Sequence, residues 1–129
     1  MSERDIWEFT IGVCIRNDMN IEEDNFKDAM TELTEELTKL SGGLTYYFCY
    51  GTWENNDTNK IDNFYEEEVI NTIERTMSCC INIIICPTVS NSLYDCVKYN
   101  INDIKKRYNL DIQHIQVMKT EGKEYHFIV

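Results

Sequence analysis

One proline, one alanine and five glycines in 129 residues leave little that could loosen or break this chain. No Pro/Gly-rich tract or linker separates two units, and the length suits one domain over residues 1–129. Long apolar runs are missing too. Ile83-Ile84-Ile85 is the longest aliphatic run, far short of the roughly 18 residues needed to cross a bilayer. Met1-Ser2-Glu3-Arg4-Asp5 has neither the basic start nor the apolar stretch of a secretory signal, so the expected location is cytoplasmic, off the membrane. Histidine occurs twice, and no Cys-x-x-Cys pair exists, which argues against a finger-like zinc site. No phosphate-cradling glycine loop, dinucleotide fingerprint or Ser-His-Asp grouping is present, so neither a cofactor nor a catalytic residue is assigned.

Positive charge is scarce: 12 Lys+Arg stand against 23 Asp+Glu, a net charge of -11. The excess is uneven, with 18 acids and six bases in residues 1–77. Affinity for a nucleic-acid polymer depends on neutralising phosphates, so a DNA or RNA partner is not expected. An acidic surface instead solvates the protein, or meets a basic protein partner. The abundance of Ile, Asn, Tyr and Lys over Ala, Gly, Pro and Arg reflects AT-rich codons, as in low-GC bacteria, their phages and large DNA viruses. Six cysteines (Cys14, Cys49, Cys79, Cys80, Cys86, Cys96) fall mostly in apolar strand patterns and read as reduced, buried thiols.

Trp7, Phe9, Ile11, Val13 and Ile15 alternate with smaller or polar residues, the period of a half-buried strand. Phe26, Met30, Leu33, Leu37 and Leu40 make one helical stripe, closed by Gly42 in the left-handed position. Leu44 to Trp53 is a second strand, and a bulge at Gly51 would turn Trp53 inward. Tyr65, Val69, Ile73 and Met77 recur every four residues, so 64–77 is expected to be a helix, with a strand as the alternative. Cys80 to Cys86 is a buried strand with Ile81, Ile83 and Ile85 inward and Asn82 outward. Ser90 or Ser92 can cap a helix striped by Leu93, Val97, Ile101, Ile104 and Tyr108. A three-residue turn at Thr120-Glu121-Gly122 predicts a C-terminal hairpin, with Ile115, Val117, Tyr125, Phe127 and Val129 on the core face. The fold expected is α+β: a ferredoxin-like split β-α-β antiparallel sheet, two long helices on one face, an inserted third helix and a terminal hairpin.

Gly42-Gly43-Leu44-Thr45 followed by Gly51-Thr52-Trp53 resembles an uncharacterised family of small bacterial and phage proteins. Ile104-Lys105-Lys106-Arg107-Tyr108 and the Gln113 to Val117 strand are similar as well. The likeness spans residues 9–118, with 61–78 as an insertion. It implies the same fold and carries no catalytic residues.

With both helices on one side, the other sheet face is left bare. Strand parity puts Thr10, Cys14, Arg16, Tyr47, Cys49, Asn82, Ile84, His114, Gln116, Met118 and His126 there. Arg16 could pair with an anion, Tyr47 could stack on a base, and Asn82, His114, Gln116 and His126 could read polar edges. The expected function is non-catalytic: a homo-oligomeric accessory factor of phage or viral type that sequesters a small nucleotide-like ligand or metabolite to counter host defence. Two alternatives stand beside it. One is an acidic inhibitor or nucleic-acid mimic acting on a basic host protein. The other is a metal-independent phosphodiesterase using His114 and His126 as acid and base across the hairpin.

Overall fold

The computed structural model describes residues 2–15, 19–55, 72–112 and 115–129. The alternating N-terminal stretch forms β1 (Ser2–Cys14), longer than its apolar core requires. Helix α1 (Met19–Ser41) follows, then β2 (Thr45–Asn55), β3 (Thr72–Ile85), helix α2 (Ser90–Arg107) and β4 (Ile115–Glu124). All ladders are antiparallel, and the four strands lie in the order β2-β3-β1-β4. The two central strands therefore carry both the heart of the core and the heart of the opposite face.

Alternation decides which side is which. Trp7, Phe9, Ile11 and Val13 of β1 and Met77, Cys79, Ile81 and Ile83 of β3 face the helices and are buried. Both helical stripes close on them: Phe26, Met30, Leu33 and Leu37 from α1, and Leu93, Val97, Ile101 and Ile104 from α2, join one core. Leu110 and Ile112, after α2, fill it out, while Leu40 at the end of its stripe stays largely exposed. Phe26 meets Phe48 edge-on at 6.0 Å, and Trp7 stacks on Tyr94 at 5.7 Å. The first helix ends at Gly42 with φ +84, where a side chain would be strained.

Four expectations need correction. Residues 72–77 are not the end of a helix; they belong to β3, which pairs with β2 from Asn55↔Thr72 onward. Residues 64–71 of that segment lie outside the described residues. A spacing of four is even, so Ile73 and Met77 share a strand face as readily as a helix face. Second, the β2–β3 ladder passes Gly51 in unbroken register, so no bulge forms there. Third, Ser90 does not cap α2. Its Oγ accepts a hydrogen bond of 2.7 Å from the Trp7 indole Nε1–H, both buried beneath the helix.

The fourth concerns the C-terminus. No hairpin turns at Thr120-Glu121-Gly122; β4 runs straight through it, paired to β1 from Ile11↔Ile115 to Ser2↔Glu124. Glycine stands at 122 because of a neighbour, since a Cβ there would meet Ile6 Cδ1 at 3.1 Å. Tyr125, Phe127 and Val129 accordingly lie exposed and outside the core, as Val117 does in part.

The helices are tied at the surface. Arg107 donates to both oxygens of Glu32, at 2.7 and 3.2 Å, and to Asp103 at 2.9 Å. The Arg107 guanidinium, helped by Tyr108, holds the Glu32 carboxyl below its ordinary value of 4.5. A lowered folded pKa means the contribution is whole above that value and lost as pH falls through the folded one. The gap in urea midpoint between the native chain and Glu32→Gln should be present at neutral pH, close as pH falls through the lowered pKa of the folded carboxyl, and shrink in high salt. Among the described residues, no helix is long and apolar enough to cross a membrane.

Candidate functional site

Among the described residues, nothing covers the face opposite the helices. Reading across β2, β3, β1 and β4, one row is Tyr47, Cys80, Thr10 and Gln116, and the next is Thr45, Asn82, Glu8 and Met118. Ile84 and Ile6 continue the surface toward the start of β1, and Cys49 and Ser78 toward its end. Tyr47 (52%), Ile84 (48%) and Met118 (52%) stand half in solvent. Parity alone placed Thr10, Cys14, Tyr47, Cys49, Asn82, Ile84, Gln116 and Met118 here, and the ladders agree.

Of the six ligand-binding residues expected, Tyr47, Asn82 and Gln116 come together on two adjacent rows. Three strand spacings, about 14 Å, separate Tyr47 from Gln116. Arg16 and His114 lie outside the described residues. His126 is elsewhere, past the end of β4. Its Nε2 lies 3.0 Å from Glu124 Oε1, and Arg4 Nε donates to the same oxygen at 3.2 Å. Hydrogen bonding to His126 first, and to Arg4 second, holds the Glu124 carboxyl below its usual range. Ile115 and Glu124 mark the two ends of β4, about 30 Å apart at strand rise. β4 runs straight where the hairpin between His114 and His126 was expected.

An open groove of about 650 Å³ runs from Arg4, Glu124 and His126 past Gly42 and Gly43 to Thr45 and Asn82. Asn82 thus belongs both to the groove and to the bare face. Two residues that matter here were missed: Arg4 at the groove's far end, and Glu8 in the middle of the face. The signal was available. Both share the parity of Thr10 and Cys14; Arg4 precedes the expected strand start at Trp7 by three residues, whereas Glu8 stands inside the expected alternation and was left off the face.

Glu8 sets the electrostatics. It is an exposed carboxylate flanked by Asn82 and Met118, with Ile6 and Thr10 along its own strand. Interaction with the Cys80 thiol across the ladder, more than the field of Glu8, keeps the Tyr47 phenol above its ordinary pKa. On the other side of the sheet, Asp24, Asp28, Glu35 and Glu36 are exposed acids of α1. Among the described residues no group of three or more His, Cys, Asp or Glu side chains converges as a metal site.

No family model matches the chain, and no curated protein matches it. Among solved structures, a Bacillus cereus protein related to NIF3 superposes with a TM-score of 0.55 at 8% identity. The match covers 96% of this chain and 27% of that one, so this chain spans about a quarter of that protein's length. GlnK of B. subtilis in complex with ATP aligns with a TM-score of 0.48 at 17% identity, over 90% of this chain and 84% of that one. A phage SAM lyase in complex with S-methyl-5'-thioadenosine aligns with a TM-score of 0.46 at 12% identity, over 93% and 92%. At such identities the likeness is one of fold, and it rests on the first of these. The described residues form an α+β fold with a four-stranded antiparallel sheet and two α-helices.

Proposed function

We propose that this chain is a ferredoxin-like binding domain, of the kind its short glycine motifs resemble, whose bare sheet face holds a small nucleotide-like molecule without transforming it. One observation carries the reading: Tyr47, Asn82 and Gln116 share that face in adjacent rows, with Glu8 between them. An aromatic ring supplies a stacking surface. Two amides supply both donors and acceptors, and a carboxylate accepts from the N–H groups of a base. Glu8 also weighs between occupants. A second copy stacked on this face would bury that carboxylate, at a cost of several kcal/mol unless a donor met it. A base edge brings the donor. Self-association, expected for such a face, is then better served by the two sheet edges. Sequestration in a host cytoplasm, as an accessory factor countering defence, is the setting this proposal retains from composition.

Native mass spectrometry of freshly purified chain, followed by denaturation and a panel of mono- and dinucleotides in thermal-shift assays, tests the proposal. The expected result is a bound small molecule released unchanged. Tyr47→Ala should weaken it about five- to a hundredfold, the range set by losing one stacking contact. The melting temperature of the ligand-free variant should barely move, because the side chain is exposed. Release of a chemically altered molecule would mean catalysis. A ligand-free dimer, or binding indifferent to Tyr47→Ala and Asn82→Ala, would overturn the proposal.

A further inference from the structure

Cys49 and Cys80 are 31 residues apart in sequence, yet their Sγ atoms lie 3.7 Å apart across β2 and β3, both half-buried on the bare face. They are not directly opposite one another. Cys49 pairs with Ser78, and Cys80 with Tyr47, so the two cysteines are diagonal neighbours. Diagonal positions hold Cα atoms about 7–8 Å apart, whereas a disulfide needs no more than about 6.8 Å. The ladder must break before the two sulfurs can bond. A bridging atom meets no such obstacle. Two thiolates on one tetrahedral cation, with bonds of about 2.3 Å, lie about 3.8 Å apart, which is the separation found here.

We propose that Cys49 and Cys80 are a chelating dithiol that takes one thiophilic cation of the zinc(II) class on the open sheet face. The proposal goes beyond the binding function above and stands without it. The exchange is balanced: two thiols and one divalent cation give a neutral dithiolate complex and two protons. Burial, then the neighbouring Cys80 sulfur, raises the Cys49 pKa. Tyr47 is the register partner of Cys80 on β2 and flanks the pair. Glu8 on the same face lends a negative field toward a cation. Among the described residues no helix covers the pair, and water can complete the coordination.

Cadmium is the probe, titrated into reduced full-length chain with a non-thiol reductant present. The expected result is one cation per chain, a sulfur-to-metal charge-transfer band in the ultraviolet, and two protons released. Cys49→Ser or Cys80→Ser should weaken binding on the order of a hundredfold. Cys96→Ser, on α2 beside Asn100, should leave it unchanged. A variant-free measurement guards against misfolding: cadmium should protect Cys49 and Cys80 together from alkylation while Cys86 and Cys96 still react. Protection of another pair, or of none, overturns the proposal. So does a Cys49–Cys80 disulfide formed by diamide in protein that keeps its melting transition.

Discussion

Replacing Phe9 by alanine should lower stability by about 3–5 kcal/mol, the largest loss expected of any single truncation in this chain. Phe9 is 1% exposed at the middle of the central strand β1, between Ile81 of β3 and Val117 of β4. It stacks on Trp7 at 5.6 Å, with ring planes only 4° apart. Both helices close over that row, so the walls of the cavity belong to the sheet and to two helices and cannot all collapse inward. Total stability for a domain of this size is of order 5–15 kcal/mol, so the variant should melt lower by roughly 10–15 °C. Thermal denaturation followed by circular dichroism measures this. A loss below about 1 kcal/mol would show that the core is not centred on β1.

The second large effect separates two roles for Ser90. A capping serine replaced by alanine costs about 1 kcal/mol, whatever stands at position 7. An anchoring serine behaves differently. Ser90→Ala leaves the buried indole N–H of Trp7 without its acceptor, a penalty of about 1–3 kcal/mol. Trp7→Phe removes the donor together with part of the ring. In Trp7→Phe the further change Ser90→Ala should then cost little, because no N–H remains to be stranded. A double-mutant cycle in urea should return a coupling of about 1–2 kcal/mol. Additive losses would restore the cap and remove the tie between β1 and the start of α2.

Local periodicity was a sound guide wherever burial is one-sided. The alternation of Trp7 to Val13, the stripes of both helices and the inward isoleucines of β3 appear in the core as their spacing requires. The same parity placed Tyr47, Asn82 and Gln116 on one bare surface before any strand order was known. It failed where two periods coincide, as at Ile73 and Met77, whose spacing satisfies helix and strand alike. It failed again at Gly122, where a turn residue proved to be a close approach to Ile6. A glycine reports that a side chain would not fit, and not which neighbour forbids it.

What the chain alone determined is therefore the division of its residues into an inner and an outer set, since that depends on spacings of two and of three to four. Strand partners and their extents were settled in three dimensions. The residues before Trp7 give β4 an edge to pair with, and this pairing, worth a full ladder of hydrogen bonds, outweighs a three-residue turn signal. The same ladders carry Glu8 into the middle of the bare face and bring Cys49 to within 3.7 Å of Cys80. Neither meeting is written in sequence spacing, because each depends on which strands lie side by side and at what offset.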